Sequence, residues 1–351
     1  MPIFRLNTKA RWKSNIKSKS GVPKGTKHRI PEQMKILITG AHGQLAQTIM
    51  NSIHAQEHEL IFTARTVGPT AGSDARFPIG ELDITDTEAV HKTVSDNKIE
   101  AIINCAGYTN VPQAEIEKEA AHKANVDAVT NLARAAKAGD ALLVHISTDY
   151  VFDGKSEIPY KETDKPKPLN EYGRTKLAGD EALREVGCKY LIFRISWLYS
   201  PYGKNFLKTI LKKSKEVPSI NVVDDQTGTP TYAGDLVDAI FSAIEATSKV
   251  PAAISETDTI PGVSHTAEFN GVYNYSNEGQ CTWYEFAKEI CRQSGSDCTV
   301  TPCKTEDYPA NVQRPRYSVL DKTKFKETFH QDIPHWKESL AKCLKEIEKF
   351  G

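Results

Sequence analysis

The segment MKILITGAHGQLA, residues 34–46, is the strongest indication of the fold because it joins an apolar run to a glycine-containing turn and then to a helical pattern. The run KILIT ends at Gly40, which is typical of a buried strand, and the helical pattern begins at Gln44. Glycines between a strand and a helix let the backbone approach a pyrophosphate, so this order predicts a dinucleotide site, with a purely structural turn as the alternative. The residues that we expect to contact the dinucleotide here are Gly40, His42, Gly43, Gln44 and Leu45.

Strand-like and helix-like segments alternate from residue 34 to about residue 200. The strands are continuous apolar runs, a pattern typical of a parallel sheet with helices on both faces. We therefore predict an α/β fold: a Rossmann doubly wound parallel sheet over 34–200, to which later segments return, and mainly a smaller sugar-nucleotide-binding α/β lobe over 201–351. The predicted strands are 35–39, 59–64, 101–107, 141–147 and 190–196, and an Ala-rich helix is predicted over 120–138.

Basic residues are concentrated near the amino terminus. Residues 1–33 hold nine Lys and Arg against one acid, which leaves 36 of the 45 basic and 44 of the 45 acidic side chains for the rest. This head lacks the apolar segment of a secretory signal, and we expect it to be disordered or dispensable. The acidic remainder predicts no nucleic-acid partner. No apolar run reaches the roughly 18 residues that span a bilayer, so we expect no membrane association.

The seven cysteines are scattered, odd in number and contain no Cys-x-x-Cys pair. This usage is typical of reduced thiols in a cytoplasmic protein and gives no support to a zinc site.

The end of the second predicted strand bears on the choice of dinucleotide. It is followed by Arg65, and no acid appears until Asp74. Proteins that prefer NAD place an acid here to bind the ribose hydroxyl, whereas an arginine accommodates a 2′-phosphate. We therefore expect NADPH, with NADH use left open and an ordinary surface arginine as the alternative. Asp83 and Ile84 are predicted to flank the adenine, and a helix-capping loop explains them equally well.

Three residues in two segments form a candidate catalytic group. Thr148 follows the predicted strand 141–147 and precedes Tyr172 by 24 residues, and Lys176 lies one helical turn after Tyr172. A Tyr-x-x-x-Lys pair alone is usually a solvated surface pair. With a hydroxyl beside it, the trio can serve a carbonyl: the hydroxyl orients the oxygen, the phenol gives the proton, and the ammonium lowers the phenol's pKa from about 10.

Six motifs, in order over about residues 34–350, resemble those of the extended short-chain dehydrogenase/reductases: GAHGQLA, NCAGYT, ISTDYVFDG, PLNEYGRTKLAGD, FRISWLY and VVDDQTGTPTY. Within that superfamily they are most similar to the dTDP-4-dehydrorhamnose reductase family. The resemblance implies reduction of the C4 ketone of a dTDP-4-dehydro-L-rhamnose substrate with NADPH or NADH, and a homodimer. It leaves magnesium dependence open, since no ligand cluster stands out and the metal-binding residues are unknown.

The resemblance also implies roles for individual residues. It makes Thr148, Tyr172 and Lys176 catalytic, and Tyr172 and Lys176 cofactor contacts as well. Further cofactor contacts are Cys105, Ala106 and Gly107. Substrate contacts are Thr148, Asp149, Tyr150, Trp197, Asn205, Gln226 and Arg314. The alternative for Trp197 is packing between the lobes, and for the last three a structural role.

The chain departs from the family pattern locally. Pro112 replaces a frequent acid, Gln313 precedes Arg314 where some members have a second arginine, and the loop at 247–270 is longer. Two other functions remain alternatives: a sugar-nucleotide dehydratase or epimerase on the same fold, or a non-catalytic regulatory subunit like that of methionine adenosyltransferase. Related dehydratases carry an Asp-Glu pair where this chain has Asp149 and Tyr150, which argues against dehydration, while Trp197 favours an enzyme over a subunit.

Overall fold

The computed structural model of the chain describes residues 33–67, 77–248, 269–307 and 312–350. The head predicted at 1–33 lies outside these ranges except for Gln33, and so does most of the loop predicted at 247–270. The division into lobes near residue 200 stays a prediction.

The described residues form strands and helices in alternation over most of the chain. The strands are β1 Lys35–Thr39, β2 Glu59–Ala64, β3 Ile79–Glu81, β4 Ala101–Asn104, β5 Leu142–Thr148, β6 Lys189–Ile195, β7 Leu198–Tyr199, β8 Ser219–Val223, β9 Thr227–Gly228, β10 Thr231–Tyr232, β11 Gly271–Tyr275, β12 Cys281–Thr282 and β13 Thr299–Cys303. The α-helices are α1 Gln44–Met50, α2 His54–Glu57, α3 Thr87–Asp96, α4 Val111–Ala114, α5 Lys118–His122, α6 Ala128–Ala138, α7 Glu171–Val186, α8 Phe206–Glu216, α9 Ala233–Ser248, α10 Trp283–Gln293, α11 Thr323–Phe329 and α12 Trp336–Phe350.

Seven parallel strands make the main sheet, in the order β11-β6-β5-β4-β1-β2-β3. Successive side chains of a strand point to opposite faces. In β1, Ile36 and Ile38 accordingly pack into one apolar core while Leu37 packs into another. Both faces of the sheet are therefore buried, and the predicted α/β fold with a doubly wound parallel sheet is confirmed.

The order of the strands reverses beside β1. The chain runs from β1 outward through β2 and β3, and then returns to β4 on the other side of β1. Open α/β sheets bind ligands in the crevice at such a point, outside the carboxyl ends of the strands. The topology therefore places a ligand crevice beyond Thr39 and Asn104, which pair at the ends of β1 and β4.

A third apolar core, separate from the two that flank the sheet, lies in the later part of the chain. It is built largely from α8, α10 and α12 around buried aromatic side chains such as Tyr199 and Phe286. The parallel pair β8 and β13 lies beside it. Strand β11, by contrast, pairs with β6 and extends the main sheet.

The predicted Ala-rich helix over 120–138 is confirmed, and it contains a π-helical turn that the sequence does not predict. Residues Lys123–Asp127 form a π-helical turn between α5 and α6. A Cβ at Gly179 of α7 would lie 2.0 Å from the backbone oxygen of Asn125, so the two helices are in direct backbone contact there. The turn holds Asn125 fully buried, where its side chain bonds Tyr108 and Thr175. Alanine composition carries no signal of a turn that packing imposes.

Candidate active site

Helix α7 is held against the carboxyl end of β5 by its first turn. The side chain of Asn170 caps the helix by accepting a hydrogen bond from the backbone N–H of Gly173 at 2.9 Å. Gly173 itself touches the loop after β5, because a Cβ there would lie 2.2 Å from the carbonyl oxygen of Tyr150. Only glycine allows this approach, which brings the neighbouring Tyr172 to the end of β5.

The three predicted catalytic residues lie together. Thr148, the last residue of β5, is 4% exposed, and its side chain is within hydrogen-bonding reach of the Tyr172 hydroxyl. Lys176 is 5% exposed, and its Nζ donates to the Ile146 carbonyl at 2.6 Å. The ring of Tyr150 packs edge-on against that of Tyr172, with ring centroids 5.7 Å apart. A hydroxyl, a phenol and an amine thus converge at the carboxyl edge of the sheet.

Burial controls the ionisation of this group. It raises the pKa of Tyr172 above its usual value, and the Thr148 contact opposes that rise only in part. The net direction is therefore upward, and the lowering expected from the lysine ammonium stays a prediction. Burial also lowers the pKa of Lys176 to about 8, against the attraction of Asp180. At neutral pH the phenol is protonated, which suits a proton donor.

The predicted cofactor residues of the first and fourth strands meet at the crevice. Gly40 has a φ of +67°, and a Cβ there would lie 2.8 Å from the backbone of Ala106. The loops that contain Gly40 and Cys105–Gly107 are therefore in contact through bare backbone. Gly43 occupies the N-cap position of α1 and has no side chain. No side-chain hydrogen bond therefore caps the N–H groups of the first helical turn. This bare surface fits the pyrophosphate of a dinucleotide.

The loops after β1 and β2 are also joined. His42 Nε2 lies 2.8 Å from the carbonyl oxygen of Thr66, which follows the exposed Arg65. Hydrogen bonds from Thr85, with a smaller contribution from Arg65, lower the pKa of Asp83, so Arg65 and Asp83 lie near one another. The Asp83 carboxylate bonds the Thr85 backbone and hydroxyl at 2.9 and 2.8 Å. Asp83 thus shapes its own loop, and Ile84 packs partly against the core.

Leu45 and Asn205, both predicted to contact ligands, have structural roles. The side chain of Leu45 is 4% exposed and lies in the core, so only its backbone faces the turn. Asn205 caps α8 by accepting from the Lys208 backbone at 3.0 Å, and it donates to Gln44 and to the carbonyl of Ser200. Gln44 in turn donates to the carbonyl of Leu198. The pair Gln44 and Asn205 ties the glycine turn to α8, and a direct substrate contact of Asn205 stays a prediction.

Asp149 and Tyr150 lie beside the catalytic group. Asp149 is 2% exposed, accepts from Thr148 at 3.0 Å, and lies within hydrogen-bonding reach of the Ser318 side chain. Burial raises the pKa of Asp149 to about 7. Tyr150 is also buried, which raises the pKa of its hydroxyl to about 12, and Arg314 opposes this as a hydrogen-bond partner. The predicted residues Asp149, Tyr150 and Arg314 are therefore neighbours.

Trp197 immediately precedes β7, and Gln226 immediately precedes β9. Trp197 has a φ of +48°, which is rare for a large side chain, and its ring stacks on that of Trp283 with centroids 3.5 Å apart. A Cβ at Gly228 would lie 2.7 Å from the Trp197 ring, so glycine there makes room for the stack. Gln226 is buried and donates to Thr305 at 3.0 Å. The structure gives both residues packing contacts, and their substrate contacts stay predictions.

Three side chains near the site were not predicted from the sequence: the buried His145 and Asp180 and the partly buried Trp283. A signal existed for one of them, because Asp180 lies four residues after Lys176 and so shares the helix face of Tyr172 and Lys176. His145 and Ser147 alternate along β5 and both contact side chains of α7. No local pattern marks Trp283, which meets Trp197 only through the fold.

The sequence does not identify metal-binding residues. In the described part of the chain, one group of three potential ligand side chains has its ligand atoms within 4.8 Å of one another: Glu57, His58 and Glu245. His58 immediately precedes β2, so the group lies at the amino edge of the sheet, opposite the edge that carries Thr148. This group therefore gives no support to a magnesium ion in the reaction.

Two further features concern the surroundings of the protein. None of the helices in the described ranges combines the length and apolar composition that a membrane crossing requires. All seven cysteines are free thiols.

Comparisons with known proteins agree with this geometry. Residues 34–349 match the family model described as the RmlD substrate binding domain. The chain is 34% identical over 322 residues to the dTDP-4-dehydrorhamnose reductase of Burkholderia thailandensis, which covers 90% of this chain and 99% of that protein. The crystal structure of the dTDP-4-dehydrorhamnose reductase of Bacillus anthracis in complex with NADP has a TM-score of 0.77 at 34% identity, covering 90% of this chain and 99% of that one. A dTDP-4-dehydrorhamnose reductase structure from Clostridium acetobutylicum has a TM-score of 0.76 at 37% identity, covering 90% and 100%.

Proposed function

The chain belongs to the RmlD substrate binding domain family, and from that premise we propose that it is an NADPH-dependent oxidoreductase of dTDP-rhamnose biosynthesis. Its reaction is the reduction of the C4 ketone of dTDP-4-dehydro-L-rhamnose to dTDP-L-rhamnose. The observation that carries this proposal is the contact of Thr148 with the Tyr172 hydroxyl, one helical turn from Lys176, at the carboxyl edge of the sheet.

The bare backbone at Gly40, Gly43 and Ala106 would hold the cofactor's pyrophosphate, and Arg65 would meet its 2′-phosphate. When bound, the nicotinamide supplies the hydride. Lys176 would contact the nicotinamide ribose from its position behind Tyr172. NADH would also bind, because the exposed Arg65 adds affinity for a phosphate without excluding a hydroxyl.

The catalytic residues act on the ketone oxygen. Thr148 orients that oxygen by donating a hydrogen bond, and Tyr172 gives its proton to the forming alkoxide. The raised pKa of Tyr172 keeps the proton available at neutral pH. The Lys176 ammonium stabilises the phenolate that this transfer leaves behind. General acid catalysis of this kind contributes roughly 10²–10⁴-fold to a rate.

The hexose would lie between Asp149, Tyr150 and Trp197. The burial of Asp149 beside Tyr150 supports this placement, because a buried carboxylate is stabilised when a sugar hydroxyl donates to it. Trp197 would offer a flat apolar face, held by its stack on Trp283. Arg314, beside Tyr150, would bind the nucleotide phosphates. Gln226 and Asn205 complete the proposed substrate side.

Two finer points belong to the proposal. The free cysteine thiols support a cytoplasmic location. A homodimer is proposed from the resemblance alone, and light scattering after size-exclusion chromatography tests it.

The test is to incubate the purified protein with NADPH and the 4-keto sugar nucleotide and to follow nicotinamide absorbance. NADPH should be consumed with dTDP-4-dehydro-L-rhamnose, and much more slowly with the unepimerised 4-keto-6-deoxyglucose nucleotide. A site that hydrogen-bonds substrate hydroxyls rejects a sugar whose substituents point elsewhere. Equal rates with both sugars would contradict the substrate assignment. No consumption of NADPH with either sugar would contradict the assignment of the protein as a reductase.

A further inference from the structure

A buried polar cluster lies directly beneath Lys176, and the proposed reaction does not use it. Its members come from β4, β5, β6 and α7, and all are at least nine-tenths buried: Asn104, His145, Ser147, Asp180 and Arg194. Charges so deeply buried cost free energy unless they are paired and hydrogen-bonded. A cluster of this kind beside a catalytic lysine can control the charge of that lysine.

Asp180 is the counter-charge of the cluster. It lies one helical turn after Lys176, as Lys176 does after Tyr172, so α7 presents the three side chains on one face. The Asp180 carboxylate accepts from the Ser147 hydroxyl at 2.7 Å and lies 3.6 Å from Arg194 Nε. Its attraction favours the ammonium form of Lys176.

His145 acts in the opposite sense, and its neighbours fix its tautomer. Asn104 Oδ1 accepts from the Ala106 backbone N–H at 3.1 Å and from the Thr39 hydroxyl at 2.7 Å. The Asn104 amide group therefore turns its Nδ2 donor to His145 Nδ1, 3.1 Å away. Nδ1 is then an acceptor, and Nε2 carries the proton.

The protonated Nε2 of His145 faces Lys176 Nζ at 3.3 Å and Asp180 at 3.7 Å. An N–H donor can bond an amine but repels an ammonium, so His145 favours the neutral form of Lys176. Burial and the charge of Lys176 hold the pKa of His145 well below its usual value, so the ring is itself neutral. The other groups near Lys176 are Tyr172 on its own helix and, across Asp180, Arg194 on β6.

We propose that Asp180 and His145 are opposed positioning residues that set the charge of Lys176, Asp180 holding the ammonium and His145 favouring the amine. This rests on the proposed function, in which the ammonium stabilises the Tyr172 phenolate. Burial lowers the pKa of Lys176 to about 8 against the attraction of Asp180, so reduction slows as pH rises through about 8.

The test measures the protonation of Lys176 directly, by NMR of the full chain labelled with ¹³C at the lysine ε carbon. The Lys176 resonance is assigned by its loss in Lys176→Met and is titrated with pH. Asp180→Asn should move its midpoint to lower pH, by about 1–3 units if the opposite charge acts at close range. His145→Gln should move it to higher pH, because the amide can turn its oxygen to the ammonium.

Asp180→Asn leaves Arg194 buried without its carboxylate, so the double variant Asp180→Asn/Arg194→Gln is measured beside it, and Asp180→Glu should restore the wild-type midpoint. The pH profile of kcat/KM should shift with the NMR midpoint. An unchanged midpoint in the folded double variant, or shifts of the same sign for Asp180→Asn and His145→Gln, would overturn the proposal. A wild-type protein that titrates as expected but consumes no NADPH would instead count against the proposed function alone.

Discussion

Gly173 lies so close to Tyr150 that a Cβ at position 173 would be 2.2 Å from the Tyr150 carbonyl oxygen. This contact sets the separation between α7 and the end of β5. The reach of Tyr172 to Thr148 therefore depends on its neighbour having no side chain.

Gly173→Ala should displace the first turn of α7 and uncouple Tyr172 from Thr148. Overpacking of this kind costs about 1–3 kcal/mol of stability, and we expect a larger relative loss in turnover than the change in melting temperature implies. Gly80→Ala is the matched control, because a Cβ at position 80 meets its nearest neighbour at 3.7 Å, an ordinary contact. Equal effects of the two substitutions on kcat would contradict the close-approach account.

Tyr172→Phe removes only the hydroxyl that we propose as the proton donor. The rate of NADPH oxidation should fall by roughly 10²–10⁴-fold, the usual range for general acid catalysis. NADPH affinity, measured by fluorescence titration, should change little. A variant within a few-fold of the wild-type rate would end the assignment of Tyr172 as proton donor.

Arg65→Ala tests the choice of cofactor. If the guanidinium meets the 2′-phosphate, NADPH should bind more weakly by roughly 10–150-fold, the equivalent of about 1.5–3 kcal/mol for a charge-assisted contact. NADH, which lacks the phosphate, is the internal control and should bind nearly as before. Equal losses of affinity for both cofactors would show that Arg65 is an ordinary surface residue that does not contact the 2′-phosphate.

Asp149→Asn should change stability in a pH-dependent way. Burial raises the pKa of Asp149 to about 7, so between the unfolded value of 3.8 and about pH 7 the folded protein binds the proton that the unfolded chain releases. Wild-type stability therefore falls as pH rises through this window, by up to about 1.4 kcal/mol per pH unit from this group. The asparagine variant lacks that slope.

Denaturant unfolding of both proteins at several pH values measures the difference. We expect Asp149→Asn to gain stability relative to wild type as pH rises, and to lose substrate affinity because it cannot accept a sugar hydroxyl as a charged group does. A stability difference that stays constant with pH would show that Asp149 is not held with a raised pKa.

The sheet could be predicted from the sequence because its strands are continuous apolar runs. The meeting of Thr148, Tyr172 and Lys176 could also be predicted, because Thr148 ends a strand and helical spacing puts Tyr172 and Lys176 on one face. The π-helical turn at Lys123–Asp127 could not be predicted, because it depends on the contact between Asn125 and Gly179 of another helix. Local composition contains no record of such a contact.

Ionisation was the least predictable property of the site. Residue type alone indicates that a lysine beside a tyrosine lowers the tyrosine's pKa. The structure buries both groups, and for Tyr172 the loss of solvation outweighs the Thr148 hydrogen bond, so the net pKa is raised. How deeply these groups are buried depends on how closely α7 packs against the end of β5. That packing depends on Gly173 and Asn170, and the spacing of Tyr172 and Lys176 does not reveal it.

We propose that the ketone at C4 of the sugar nucleotide is reduced with Tyr172 as proton donor. The most direct measurement uses NADPH deuterated at the transferred position of nicotinamide C4 and locates the label in the isolated product by NMR and mass spectrometry. We predict one deuterium at C4 of dTDP-L-rhamnose and one equivalent of NADP⁺. Recovery of unreduced sugar, product without label, or label at another carbon would contradict the claim and favour an epimerase or a non-catalytic role.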